Sequence, residues 1–401
     1  MRLRWDMGLG RDLGLAFWAM TCFEATFGAY TSVWPLWIEA LGAPIAVVGL
    51  VLGSAGFVRP FVLGPSSSLA ERFDRRTIMI VARLCGVGGM AVAALAQTWH
   101  ILFVTVVLNA MSEIVFPTLQ TYVAERAIEN RARAFSMIVN VGPSLALIVT
   151  PLLSGLLISI WDMRAAFVLG ALTSLASIAI MSRMDFSPPP ADPDDTDTTV
   201  ASYRSVFRNI RIRGLLGLHG ATILSLAVGV TLIPNFLKDA RGMDPALIST
   251  LGALAAVGTG LFGLLVNRTP ALSNLPLRSA AMACGAISVG LLMFVLADTM
   301  PWIIVAFLLR GGMFASWAMM LAEMGERAPS RLRSRAFAVM EIMGGSAMAF
   351  GPIIASQLYR IDPSTPVLAG AILGGLMTMR IGWVQWREST QAATQPATAK
   401  A

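Results

Sequence analysis

Long apolar runs, separated by short polar or charged stretches, divide the chain into twelve candidate helices. They cover residues 13–38, 45–65, 77–96, 101–123, 134–160, 164–182, 214–237, 245–266, 279–297, 301–322, 336–359 and 366–386, here spans 1 to 12. Each run approaches the roughly 20 residues that a helix needs to cross a hydrocarbon core. The runs are continuous, whereas a transmembrane barrel strand alternates apolar and polar positions over about 10 residues. The pattern therefore predicts an all-α polytopic membrane protein. Most connections are short, but 183–213 is not. It opens on Ser187-Pro188-Pro189-Pro190 and the acidic run Asp192, Asp194, Asp195 and Asp197, the composition of a solvated linker. It then turns basic, with Arg204, Arg208, Arg211 and Arg213 predicting a short amphipathic helix on the membrane surface. The expected organisation is a six-helix bundle over 1–183, a cytoplasmic linker with its surface helix over 184–213, a second six-helix bundle over 214–388, and a disordered tail over 389–401.

The two halves look alike. Arg131-Ala132-Arg133-Ala134-Phe135-Ser136, between spans 4 and 5, recurs 202 residues later as Arg333-Ser334-Arg335-Ala336-Phe337-Ala338, between spans 10 and 11. Glu125 and Glu323 precede these segments at nearly the same offset. Duplicated halves, with the substrate bound where the repeats meet, are an architecture of secondary transporters.

Composition sharpens this picture. Only 13% of the 401 residues are charged, against about 25% in soluble domains. The net charge of +7 invites a nucleic-acid reading, which the positions of the basic residues exclude. With a cytoplasmic N-terminus, 23 of the 30 Lys and Arg fall in inside segments. Four fall outside (Arg164, Lys238, Arg241 and Arg360), and Arg59, Arg83 and Arg310 lie in the membrane. Such an asymmetry orients a membrane protein, here with both termini cytoplasmic in the cell (inner or plasma) membrane. The basic start Met1–Arg11 has no small-residue cleavage site after it and is expected to lead into an uncleaved first helix. The sequon Asn267-Arg268-Thr269 falls on the inside, so glycosylation is not implied. Three cysteines inside apolar runs do not make a disulfide framework, and two histidines do not make a metal centre. Without a phosphate-cradling G-x-x-x-x-G-K-[ST] loop or a catalytic triad, no cofactor, metal or enzymatic activity is expected.

Several segments, in order, resemble the major facilitator superfamily. Its signature between helices 2 and 3, G-x-L-A-D-R-x-G-R-R, is matched by Ser67-Ser68-Leu69-Ala70-Glu71-Arg72-Phe73-Asp74-Arg75-Arg76, with both glycines replaced. The corresponding loop of the second half is Gly263-Leu264-Leu265-Val266-Asn267-Arg268. Met163-Arg164-Ala165-Ala166-Phe167 is similar to the family's W-R-x-x-F, and the Ala124-Glu125 to Arg131-Ala132-Arg133-Ala134 stretch to its helix 4–5 loop. The resemblance implies two pseudo-symmetric six-helix bundles, with helices 1, 4, 7 and 10 lining a central cavity. It also implies that Glu71, Arg72, Arg75, Arg76, Asn267 and Arg268 form gating loops. Physically, a carboxylate and guanidiniums at helix ends can make charge-assisted hydrogen bonds in one conformation and break them in another. For Arg75 and Arg76 a purely topological role is equally open.

Ionisable residues at helix centres cost roughly 2.5–3.5 kcal/mol each and are functional candidates by default. Glu24 (span 1), Glu113 (span 4) and Arg310 (span 10) are the proton-coupling candidates. A carboxyl in a partly apolar cavity is poised between its protonated and ionised forms. Glu24 or Glu113 is thus expected to carry a proton, tuned by Arg310; the alternative is a static Glu113–Arg310 pair. Asn109 stands where many family members carry a proton-coupling Arg, and its repeat mate is Arg310, 201 residues on. Thr21, Glu24, Gly28 and Thr31 share one face of span 1, and Thr105, Asn109, Ser112, Glu113, Phe116 and Gln120 one face of span 4. The substrate-cavity candidates are Thr21, Phe27, Gly28, Tyr30, Thr31, Asn109, Ser112, Phe314 and Trp317; for the aromatics among them, plain helix packing is the alternative. Glu341 and Arg59 are further candidates, for which the plain alternatives are that Arg59 snorkels and Glu341 faces water; Trp34 and Trp37 are expected to anchor at the interface, and His219 is assigned no role.

Pro117, Pro143, Pro151, Pro234 and Pro352 should kink their spans. Ala146 to Thr150-Pro151-Leu152-Leu153-Ser154-Gly155 resembles the family's antiporter motif in helix 5, G-x-x-x-G-P-x-x-G-G, with three glycines replaced by other small residues, and leans towards export. The reading is a monomeric, proton-coupled carrier of a small organic solute working by alternating access, its partners being solute, protons and lipid, with no nucleic acid. Alternatives are a proton-coupled importer of sugars or aromatic acids, a non-transporting sensor, or a membrane-embedded enzyme.

Overall fold

The computed structural model describes residues 5–63, 73–127, 131–186 and 203–394, which contain helices and no strand. Eleven of those helices are long and apolar enough to cross a membrane. Span 1 falls outside that set because its helix Arg11–Tyr30 interrupts the apolar sequence with Glu24 and two threonines. All-helical spanning elements follow from the solvent, since hydrocarbon offers no partner to a backbone amide or carbonyl.

Four spans are interrupted, in pairs related by the repeat. Span 1 continues from Arg11–Tyr30 into Trp34–Ala40, and span 7 from Ile210–Val230 into Ile233–Arg241. Pro35 and Pro234, 199 residues apart, cause the breaks: each lacks the amide for the carbonyl four residues back and clashes with it. Span 4 is split into Leu102–Ser112 and Val115–Arg126, where Pro117 does the same to the Glu113 carbonyl. Span 10 is split into Met300–Arg310 and Gly312–Arg327. Span 5 runs through a π-helical turn, Ser136–Val141, just before Pro143. Pro151 and Pro352, by contrast, lie inside helices that continue past them.

The boundary before span 7 differs from the expected surface helix. Tyr203–Arg208 is a six-residue helix, and Asn209 then caps Ile210–Val230 by accepting from the amides of Arg211 and Ile212. Arg211 and Arg213 therefore belong to the first turns of span 7. The last helix runs Thr365–Thr394, so residues 389–394 continue span 12 instead of forming the expected disordered tail; the 187–202 part of the linker and 395–401 lie outside the described residues.

Contacts gather the chain into two compact units. One comprises Met1–Thr198 with Pro234–Ala256, the other Thr199–Ile233 with Val257–Ala401. Because lipid is as apolar as leucine, helices associate through close packing and hydrogen bonds rather than through water exclusion. In the first unit Ser154 and Ser177 donate to the carbonyls of Ala29 and Ala19, at 2.6 and 3.0 Å, tying spans 5 and 6 to span 1. Trp34 and Trp37, expected at the interface, pack inside the bundle. They pack on Phe167, which is wholly buried, and Trp37 donates to the Ala93 carbonyl at 3.0 Å. The family-like Phe167 is thus the centre of an aromatic cluster that also holds Tyr30.

In the second unit spans 7 and 12 touch through Gly229 and Gly370, where an added methyl group would run into the facing backbone. Gly370→Val should therefore destabilise the protein by about 2 kcal/mol through overpacking. Thermal unfolding of the detergent-purified protein checks this, with the neighbouring Gly375→Val, whose added atoms meet open space, as the neutral control.

Candidate functional site

The first unit holds a polar cluster deep in its membrane-spanning helices. Arg83, on span 3, is 1% exposed. Its guanidinium donates to the hydroxyls of Ser112 (2.9 Å), Thr26 (3.0 Å) and Ser174 (2.7 Å), on spans 4, 1 and 6. It also lies over the Phe23 ring at 4.8 Å. Its Nε finds no hydrogen-bond partner among the described residues. No described carboxylate pairs with it; three charge-assisted hydrogen bonds and a ring face offset the cost of placing the charge there.

Beside this cluster stand the two acids. Glu113 forms an ion pair with Arg59 (Nε to Oε2, 2.7 Å) without hydrogen-bond alignment. This corrects two expectations. Arg59 reaches Glu113 from span 2 instead of snorkelling, and Glu113 has a counter-ion within its own unit; Arg310 makes no ion pair among the described residues. Glu24 makes no hydrogen bond or ion pair with any described residue, yet lies within electrostatic reach of both Glu113 and Arg83. Asn109 extends the polar wall by donating to the Tyr30 hydroxyl at 3.4 Å, and Tyr30 feels the charges of Glu113 and Glu24.

The other cavity candidates are placed as follows. Thr21 and Thr31 donate to carbonyls one turn back in their own helix, those of Phe17 and Phe27. Gly28 packs against Thr150 and Pro151 of span 5, so its small size serves helix contact. Phe27 lies between Phe23 and Tyr30 in an aromatic row. In the second unit Trp317 and Phe314 do not line one wall. Trp317 meets buried His219 edge-on (5.2 Å) and donates to Glu341 (3.1 Å). Phe314 is exposed and borders a small crevice with Thr259 and Phe262. His219, set aside on sequence, is fully buried, and neither ring nitrogen has a partner among the described residues.

At the helix ends, Glu71 and Arg72 lie outside the described residues. Arg75 grips Glu125 with two guanidinium nitrogens (2.5 and 3.1 Å), and Arg76 donates to the Ser182 carbonyl (2.6 Å). Asn267 and Arg268 are exposed at the end of Pro245–Arg268. Two further arginines, missed on sequence, are repeat mates 201 residues apart. Arg126 pairs with Asp12 (3.2 Å) and Asp185 (3.6 Å), and Arg327 with Glu323 (2.5 Å) and Glu388 (2.7 Å). Each ties the end of the fourth helix of its half to the end of the sixth. A third missed contact lies within the first unit. Glu39, after the span 1 break, accepts from Lys238 (2.7 Å) and from Asn235 (2.6 Å).

Residues 16–352 match a family model described as Major Facilitator Superfamily. The chain belongs to the major facilitator superfamily. Among curated proteins it is similar to two uncharacterized MFS-type transporters of Mycobacterium tuberculosis, each 28% identical over 176 residues. That match spans 42% of this chain and 40% of each relative's length. Among solved structures it is similar to a point mutant of the nucleoside transporter NupG, with a TM-score of 0.78 at 14% identity over 94% of this chain and 99% of that one. A peptide transporter POT crystallised with sulfate gives a TM-score of 0.72 at 13% identity, covering 95% of this chain and 94% of the other. The human organic anion transporter MFSD10 gives 0.63 at 15%, covering 92% and 98%. At these identities the structures share the fold alone. As a superfamily member the chain is a multi-pass membrane protein of a transporter family rather than of an enzyme family.

Arg83→Ala should cost about 2–4 kcal/mol, because it opens a cavity and strips the charged donor from three buried hydroxyls. Thermal unfolding reads the loss; Arg83→Lys, which offers a point charge in place of a fork, should recover only part of it.

Proposed function

We propose that the protein is a secondary active transporter that moves a small organic solute by alternating access, coupled to protons through Glu24. One observation carries the coupling: among the described residues, Glu24 is the acid in the cluster without a partner. Glu113 has Arg59, and Arg83 has three hydroxyls, so neither is free to change charge at small cost. An unpartnered carboxyl near one acid and one guanidinium gains and loses a proton with the least rearrangement. Arg83 and Glu113 set its field, in the place of the Arg310 expected on sequence.

The arginine asymmetry supports a cytoplasmic location for both termini, in two six-helix halves joined by a linker that ends at the Asn209 cap of span 7. In that orientation Glu39, Lys238 and Asn235 lie at the outer end of the protein and act as an outer latch, while Arg75–Glu125, Arg126 and Arg327 lie at the inner ends. Export is favoured by the small-residue stretch 146–155. There Gly28 approaches Thr150 and Pro151, and Ser249 donates to the Pro151 carbonyl at 3.3 Å, the close packing that motif permits. A single chain encloses its own pathway, so a monomer suffices.

In proteoliposomes with an imposed pH gradient, the wild-type protein should accumulate solute against its gradient. Glu24→Gln should abolish that accumulation while leaving solute exchange without a gradient. Full gradient-driven accumulation in Glu24→Gln would overturn the coupling proposal, and no flux of any amphipathic drug, sugar or aromatic acid under any gradient would overturn the transporter reading. Lys238→Met should weaken the outer latch by about 1 kcal/mol or less, the worth of a partly exposed pair. Spin labels at Ala40 and Ala240 should then show a long-distance population grown about threefold.

A further inference from the structure

The second unit contains a crevice of about 1100 Å³ that the coupling chemistry does not use. It opens between the first half of span 7 and the last half of span 12. Those spans touch at Gly229 and Gly370 and line the crevice at 210–221 and 377–388. Span 7 makes the room by presenting Gly214, Gly217 and Ala221 to it, and a methyl group added at either glycine would meet nothing.

The charges around this crevice are unbalanced. Five arginines line it: Arg211, Arg213, Arg327, Arg380 and Arg387. Its two acids, Glu323 and Glu388, are both taken up by Arg327. The other four guanidiniums form no ion pair with a carboxylate among the described residues. Two of them, Arg380 and Arg387, lie against the ring of Trp383 at 4.5 and 5.4 Å, on one face of span 12. The stacking on Trp383 orders both forks at a space that apolar Leu277, Met377 and Val384 also line. A cluster of forked cations matches a phosphate. A crevice of this size, with apolar residues and bare glycines beside the cations, has room for a hydrocarbon chain and exceeds what a free phosphate fills.

We propose that this crevice binds one anionic phospholipid of the surrounding membrane, its phosphate on Arg380 and Arg387 and an acyl chain along Gly214 and Gly217. The leaflet, the cytoplasmic one, rests on the orientation proposed above; the binding itself does not depend on transport.

Native mass spectrometry of the full chain, released from detergent with an equal mixture of phosphatidylglycerol and phosphatidylcholine of the same chains, tests this. Wild type should retain one phosphatidylglycerol at least tenfold over phosphatidylcholine. Arg380→Gln with Arg387→Gln should lower that retention roughly 30-fold, about tenfold or less per arginine, and the paired Lys replacements should restore most of the preference. Gly217→Trp, which fills the apolar part and leaves every arginine in place, should also abolish retention without lowering the unfolding temperature. Equal retention of the two lipids, or unchanged retention in both the Gln pair and Gly217→Trp, would overturn the proposal. So would glycerol 3-phosphate binding as tightly as the lipid and insensitive to Gly217→Trp, since that describes a site for a free anion.

Discussion

In a hydrocarbon solvent a polar group that leaves its helix or carries a charge must find a partner inside the protein. Arg83 is where this protein meets that constraint most completely. One guanidinium on span 3 draws hydroxyls from spans 1, 4 and 6 around itself, and so fixes the relation of four helices with one side chain. The nearby acids divide around it. Glu113 is matched from span 2 by Arg59, and Glu24 is left as the charge whose state is not dictated by a partner among the described residues. The proposed mechanism is what remains after this matching.

The same constraint explains where the helices break. Pro35 and Pro234 interrupt spans 1 and 7 at equivalent points, and spans 4 and 10 are interrupted at Glu113–Ile114 and Gly311, beside the intramembrane charges. A break supplies hinge-like freedom in a helix that otherwise satisfies its own backbone. The end contacts are duplicated as well, with Arg126 and Arg327 each bridging the fourth and sixth helices of its half. The two halves thus share the positions of their helix breaks and end restraints. Asn109 stands 201 residues before Arg310, so at this repeat position the two halves carry an amide and a guanidinium.

Much of the fold was legible in the sequence, because a span announces itself locally. Twenty or so apolar residues and a charged end need no knowledge of neighbours, and the arginines of the 131–136 and 333–338 segments exposed the repeat. The site was legible only in its members. Glu24, Glu113, Asn109 and Ser112 could be picked out by depth and face, but pairing could not. The partners of Arg83 lie 29, 57 and 91 residues away on three helices, and no periodicity links them. Arg59 looked like a snorkelling residue because only its distance from the span end was visible. The packing of Trp34 and Trp37 was likewise hidden, since Phe167, the ring they meet, comes from span 6.

The proposed mechanism requires Glu24 to change protonation as the solute moves. Infrared difference spectroscopy of the membrane-reconstituted protein, with and without a transported solute, reads this directly in the carbonyl stretch of a protonated carboxyl. A difference band should appear in the wild type, disappear in Glu24→Gln and persist in Glu113→Gln. A band that persists in Glu24→Gln and disappears in Glu113→Gln would contradict that mechanism.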